Sequence, residues 1–200
     1  MIKSPIQKVT NRLQYRAIGI VNAVYNPNDN VQFNRGTLTD CKGQKIETVI
    51  LGKVLSLIKK YIDLEKNYYW IVYPKNKNTQ NLHLQVAGIW DPYKFNDISD
   101  DSLKKDPIEL LEELNLNDNY FSVRGEVVFV NTKNKEFVVK ICSSSHPNKI
   151  KKNNFKLTIK GELSIKNLNS FLSLDVMRDG NTLNLASYEV IERITKEKIL

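Results

Sequence analysis

From Tyr15 to Trp90 the apolar residues repeat every second position through three segments, then at helical spacing through one, then every second position through two more. That order admits few folds. Tyr15 to Tyr25 (YRAIGIVNAVY) is rich in β-branched and aromatic residues and stops in Asn26-Pro27-Asn28-Asp29-Asn30, a dense turn signal. Phe33 to Asp40 predicts a second strand, and Cys41-Lys42-Gly43-Gln44 carries the glycine of a hairpin. Lys45 to Leu51 returns with Ile46, Thr48 and Ile50 on one face. From Gly52 to Leu64, Val54, Leu55, Ile58, Tyr61 and Ile62 form an apolar stripe opposite Lys53, Ser56, Lys59, Lys60 and Asp63, which predicts an amphipathic helix. Tyr68 to Tyr73 and Leu82 to Trp90 supply two further strands, the last halted by Asp91-Pro92. Three strands, a helix and two strands is the order of the OB-fold, a five-stranded Greek-key barrel with its helix between strands three and four. SH3-like barrels lack that helix, and βαβ folds alternate helix and strand more often.

Residues 120–192 read as strand throughout, with candidates at Tyr120 to Val130, Lys135 to Cys142, Phe155 to Ser164, Phe171 to Met177 and Thr182 to Ile191, and a hairpin cue at Asp179-Gly180. Between the halves, residues 93–119 form an acidic connector. In it Asp106, Pro107 and Glu109 match an N-cap, a first-turn proline and a third-position acid, predicting a short helix over 107–114. The expected fold class is mainly β with minor α: two small OB-like β-barrel domains, residues 15–92 and 120–192, joined by that connector. Residues 1–14 read as a flexible tail and 193–200 as a short C-terminal tail. Arg35-Gly36, Arg124-Gly125 and Lys160-Gly161 each put a basic residue and a glycine within a strand, where glycine marks a bulge or sharp coil.

With 200 residues, of which 41% are hydrophobic, the chain has enough material for a core without metal or disulfides. Cys41 and Cys142 are isolated thiols suited to a reducing compartment. No apolar run approaches the ~20 residues of a membrane span, and no signal-like stretch follows Met1. A cytoplasmic protein with no membrane partner is expected.

Catalytic signatures are missing from the sequence. His83 alternates with Leu82 and Leu84 in a strand, and His146 precedes Pro147 in a loop, neither near a nucleophile or at ligand spacing. There is no phosphate loop, nucleophile elbow or dinucleotide fingerprint, and Asp100-Asp101 and Glu112-Glu113 read as solvated charge. The expectation is a non-enzymatic protein with no catalytic residue, metal or cofactor.

Charge is the remaining clue. The net is +8, and 24 of the 30 basic residues are lysine, a bias that codon composition alone can produce. Divided along the chain, however, the nets are +8 for residues 1–90, −6 for 91–119 and +6 for 120–200, which is organisation rather than drift. Between Asn131 and Gly161 stand Lys133, Lys135, Lys140, Lys149, Lys151, Lys152, Lys156 and Lys160 against the single acid Glu136. If Leu157 and Ile159 face the core, alternation sends Lys156, Thr158 and Lys160 outward together, and inward Phe137, Val139 and Ile141 leave Lys140 outward. This predicts a cationic track on the strand face where OB-folds hold single strands. Phe137 and Phe155 fit core positions better, so the second half is poor in candidates for base stacking. The first half offers Tyr25, Phe33, Tyr69 and Tyr73 near Arg35, Lys42, Lys45, Lys75 and Lys77, with Tyr73 the chosen stacking candidate. The expected ligand is RNA or single-stranded DNA, bound with sequence tolerance. The alternative is a protein–protein interaction module that regulates or assembles a partner, such as a nucleic-acid-processing enzyme, through the connector or a barrel edge.

Tyr15-Arg16-Ala17-Ile18-Gly19-Ile20-Val21, Phe33-Asn34-Arg35-Gly36-Thr37-Leu38, Leu51 to Lys59, Trp70 to Pro74 and Leu82 to Pro92 resemble a family of uncharacterised cyanobacterial proteins. The likeness lies mainly in the first half. It implies no established activity and no site residue.

Overall fold

The computed structural model describes residues 3–29, 32–76, 82–93, 105–143 and 153–194. Two compact units divide the chain. One comprises Met1–Gln7, Gly19–Tyr73 and Leu84–Tyr120, and the other Lys8–Ile18, Pro74–His83 and Phe121–Leu200.

The first unit is built on β1 (Arg16–Pro27), β2 (Arg35–Asp40), β3 (Lys45–Ile50), helix α1 (Gly52–Tyr61), β4 (Tyr68–Asn76) and β5 (Leu82–Trp90), except that the start of β1, the end of β4 and the start of β5 group with the second. Its strand order is β2-β3-β5-β4-β1, and a β1–β2 pairing closes the barrel. β3 and β5 run parallel, with Thr48 opposite Leu84, while β1 pairs antiparallel with both β2 and β4. That is the Greek-key wiring of an OB-fold, as the order of periodicities predicts.

Alternation decides the core. Ile46, Thr48 and Ile50 are buried along β3, and Trp70, Tyr25, Leu38 and Leu84 are all at most 1% exposed. The two buried aromatics keep their polar atoms satisfied: Trp70 Nε1 donates to the Ala23 carbonyl at 2.8 Å, and Tyr25 Oη donates to the Phe33 carbonyl at 2.8 Å. α1 buries Val54 and Ile58 and leaves Tyr61 exposed. It stops short of the predicted Leu64 because Ile62 takes an extended backbone, and Lys59 and Lys60 in its last turn complement the dipole.

α2 (Pro107–Glu113) begins as its sequence predicts, with the Asp106 carboxylate accepting from the Ile108 amide at 2.8 Å. Its buried side is Leu110 and Leu111. Ile108 is exposed.

The second unit repeats the wiring with β6 (Tyr120–Asn131), β7 (Glu136–Ser143), β8 (Asn153–Lys160), β9 (Ser170–Asp179) and β10 (Thr182–Arg193). The order is β6-β7-β8-β10-β9, closed by β6–β9, with β8 and β10 parallel at Lys160 and Asn184. A single 3-10 turn at Ile165–Asn167 stands where the first barrel has its helix. Phe121, Phe137, Phe171, Leu157 and Ile159 fill the interior. Arg124 is buried with them, donating from Nη2 to the Arg12 carbonyl at 2.6 Å and from Nε to the Gln14 carbonyl at 3.3 Å, with its guanidinium over the Phe171 ring. In the first unit, Trp90 Nε1 likewise donates to the Lys3 carbonyl at 2.9 Å. The residues ahead of β1 are therefore held by side-chain donors within each unit.

The glycine of the basic–glycine pairs has a steric cause. A Cβ on Gly36 would stand 2.2 Å from the Asn26 carbonyl oxygen across the β1–β2 seam, and one on Gly125 would stand 2.4 Å from that of Lys140. Both are sites where two strands of a small barrel approach too closely for a side chain.

Candidate nucleic-acid interface

The outer face of β7 and β8 is set by their register: Glu136 lies opposite Lys160, Val138 opposite Thr158, Lys140 opposite Lys156 and Cys142 opposite Asn154. Leu157 and Ile159 are fully buried, so Lys156 and Lys160 stand exposed on this face with Thr158 half-buried between them.

Two other lysines of the sequence-predicted track carry a counter-charge. Lys140 forms an ion pair with Glu126, its cross-strand neighbour on β6, and Lys135 Nζ lies 2.6 Å from a Glu162 oxygen. The hydrogen bond that each lysine donates to its glutamate holds the lysine's pKa above the ordinary value. Lys133 is exposed in the β6–β7 turn. Lys149, Lys151, Lys152 and Lys77 lie outside the described residues.

In the first unit the candidates are spread out. Arg35 and Lys45 are exposed at opposite ends of the β2–β3 ladder, with Glu47 on the same face between them, and Lys42 sits in the hairpin turn. Tyr73 is 37% exposed on β4, which β5 and β1 separate from β2 and β3. Tyr25 is buried, while Phe33 and Tyr69 are half-buried, Phe33 beneath the Lys59 ammonium and Tyr69 against Trp90.

Lys75 belongs with the second unit. Its Nζ lies 3.1 Å from the centroid of the Phe155 ring, a cation–π contact worth ~0.5–2 kcal/mol depending on desolvation. Burial holds the Lys75 pKa below its usual value. Phe155, expected in the core, is half-buried with its ring against this cation.

A cavity of about 540 Å³ opens on the β7–β8 face. Thr158, Lys160 and Glu136 form its floor, the β9–β10 hairpin with Asn181 and Thr182 forms one wall, and Phe129 of β6 and Asn76 flank it. Asn76 Nδ2 donates to Thr158 Oγ1 at 3.5 Å. Phe129 is 49% exposed, a large aromatic turned toward solvent where strict alternation after buried Val127 would turn it inward. A β-bulge between Val127 and Phe129 reverses the phase. Sequence reasoning missed this ring because Val127-Val128-Phe129-Val130 has no polar residue to mark its outer face. That unbroken apolar run within an otherwise two-sided strand was the available signal. The second barrel thus exposes an aromatic ring that the sequence reading did not name.

Among the described residues no cluster of His, Cys, Asp or Glu could hold a metal ion, and no helix is long and apolar enough to cross a membrane. Cys41 is exposed and Cys142 half-buried, both as free thiols.

A closed barrel in each unit, with an open groove on the second, agrees with what a family comparison finds. The model of the PatR RNA-binding protein N-terminal OB-fold domain matches residues 17–97, and that of the cyanobacterial OB-fold-like RNA-binding C-terminal domain matches residues 123–192. The chain belongs to the PatR family of cyanobacterial OB-fold proteins. Membership agrees with the cyanobacterial resemblance of the sequence and extends it to the second half. The PatR matches describe RNA-binding domains rather than an enzyme family. Among solved structures, the p204 HINb domain is 10% identical over 88% of this chain and 96% of its own, with a TM-score of 0.22. The tetrameric p202 HIN2 is 9% identical over 88% and 92%, also with a TM-score of 0.22. Superpositions that poor carry no weight for fold or function. No curated protein matches the chain.

Proposed function

We propose that this protein is a non-enzymatic, cytoplasmic RNA-binding protein that holds a single strand along the outer β7–β8 face. Lys156 and Lys160, with Lys133 beside them in the turn, neutralise phosphates, and Phe129 stacks a base at the mouth of the groove. The observation that carries this reading is the coincidence of two exposed lysines, an exposed aromatic and an open groove on one face of a barrel whose family is described as RNA-binding. Lys135 and Lys140 contribute less, because Glu162 and Glu126 already occupy them. Arg35, Lys42, Lys45 and Tyr73 act, if the strand extends to the first barrel, as separate contacts rather than one track. Backbone contacts of this kind are sequence-tolerant and accept single-stranded DNA as well.

The test is fluorescence anisotropy of a labelled uridine-rich RNA at low and moderate salt, with the matching DNA as competitor. Phosphate-led binding weakens steeply with salt, and Lys156→Glu with Lys160→Glu lowers affinity and reduces the slope of log K against log salt by about 0.7 per lost phosphate contact. Absence of binding at low salt, or a double variant that binds like the parent, refutes the reading.

A further inference from the structure

The lysine-rich stretch of the second half contains a single acid, Glu136. A carboxylate on a phosphate-binding face repels its ligand, so its position requires a reason. Glu136 lies half-buried in the floor of the 540 Å³ cavity and makes no hydrogen bond or ion pair among the described residues. Directly across the ladder stands Lys160, also lining the cavity and also without an ion pair among them. Residues opposite each other on antiparallel strands have Cβ atoms ~4.5–5.5 Å apart, so the two heads can present themselves side by side without joining. Phe129 flanks the same cavity with its ring half exposed.

We propose that this cavity is a base-selective pocket for guanine, with Phe129 stacking the base and Glu136 and Lys160 reading its edge. The proposal rests on the RNA-binding reading above and adds a preferred base at one position of an otherwise sequence-tolerant track. In a single strand the Watson–Crick edge is free. Guanine alone presents there one acceptor, O6, followed by two donors, N1–H and the N2 amine. A carboxylate offers two acceptor oxygens and no donor, and an ammonium offers donors only. Glu136 accepts from N1–H and N2–H while Lys160, whose ammonium carries three donors, gives one to O6 and keeps the others for the neighbouring phosphate. Adenine and cytosine each offer one donor group and set an acceptor against the carboxylate, and uracil offers one donor between two acceptors. Each leaves Glu136 partly desolvated without a full set of partners, which is the source of discrimination. The groove is wide enough for a nucleotide and open enough for the strand to enter and leave.

The experiment compares labelled uridine oligomers of about eight nucleotides, within the range an OB-fold covers, carrying one central guanosine, adenosine or inosine, against the full-length chain. Guanosine is expected to bind about tenfold tighter than adenosine, the discrimination of a bidentate contact, with inosine, which lacks the N2 amine, between them. Glu136→Gln brings the guanosine-to-adenosine ratio to about one, and Lys160→Met reduces it, with thermal melts confirming that each variant folds. Equal binding of guanosine and adenosine oligomers, or a preference that survives Glu136→Gln, overturns the pocket while salt-sensitive binding of every oligomer leaves the RNA-binding reading standing. Failure of all oligomers to bind at low salt removes both.

Discussion

Replacing Phe129 with alanine separates a binding aromatic from a structural one. The ring is 49% exposed, so roughly half its apolar surface is already in water. Full burial of a phenylalanine contributes ~1.5–3 kcal/mol, and half of that puts the folding cost of Phe129→Ala near ~1 kcal/mol, a fall of ~2–4 °C in melting temperature for a chain of this size. Phe137 is fully buried, and Phe137→Ala should cost ~3–5 kcal/mol. The order reverses for binding. Stacking of one base on an aromatic is worth ~1–3 kcal/mol, so Phe129→Ala should weaken RNA binding about 5-fold to about 150-fold. Phe129→Trp should retain most of the affinity, because it keeps a π-face in the same place. Anisotropy with a labelled uridine-rich RNA reads the affinity, and circular dichroism melts read the fold. A Phe129→Ala protein that melts within a few degrees of the parent and binds RNA with unchanged affinity refutes the stacking role. A loss of melting temperature as large as that of Phe137→Ala refutes the assignment of the bulge.

Glu126→Gln releases Lys140 from a largely covered ion pair, so affinity at low salt should rise about two- to fivefold, on the order of one surface ion pair, and the gain should fade at high salt. Unchanged affinity at low salt would show that Lys140 lies off the path of the strand. Tyr25 supplies a test of stability against pH. Burial pushes its pKa up to about 12 from 10.0, so the folded state keeps the phenolic proton longer than the unfolded chain does. Its contribution is therefore complete below about pH 10 and is lost as pH rises toward about 12. Tyr25→Phe removes that titration, and the alkaline decline of its melting temperature should be shallower than the parent's. Parallel declines would place the alkaline sensitivity elsewhere, with Tyr15, raised in the same direction, the first residue to substitute next.

Parts of the candidate site could be read from the chain because their cause is local. Leu157 and Ile159 fix the phase of β8, and with a period of two the positions of Lys156 and Lys160 follow. The same rule failed at Phe129. One extra residue opposite β7 reverses every side chain beyond it, and no polar residue within the run records the change. Lys75 and Phe155 are far apart in the chain, and nothing at either position announces the other.

The order of strands and helix, the position of each hairpin and the cap of α2 came from the sequence alone, since hydrophobic period, turn residues and capping are properties of neighbouring residues. Which of the described lysines carry a counter-charge, where a bulge exposes a ring, and how Glu136 comes to face Lys160 were decided by how the strands of the second barrel pair. Charges and hydrogen-bonding groups act over a few ångströms of space rather than a few residues of chain, and only the folded register converts one into the other.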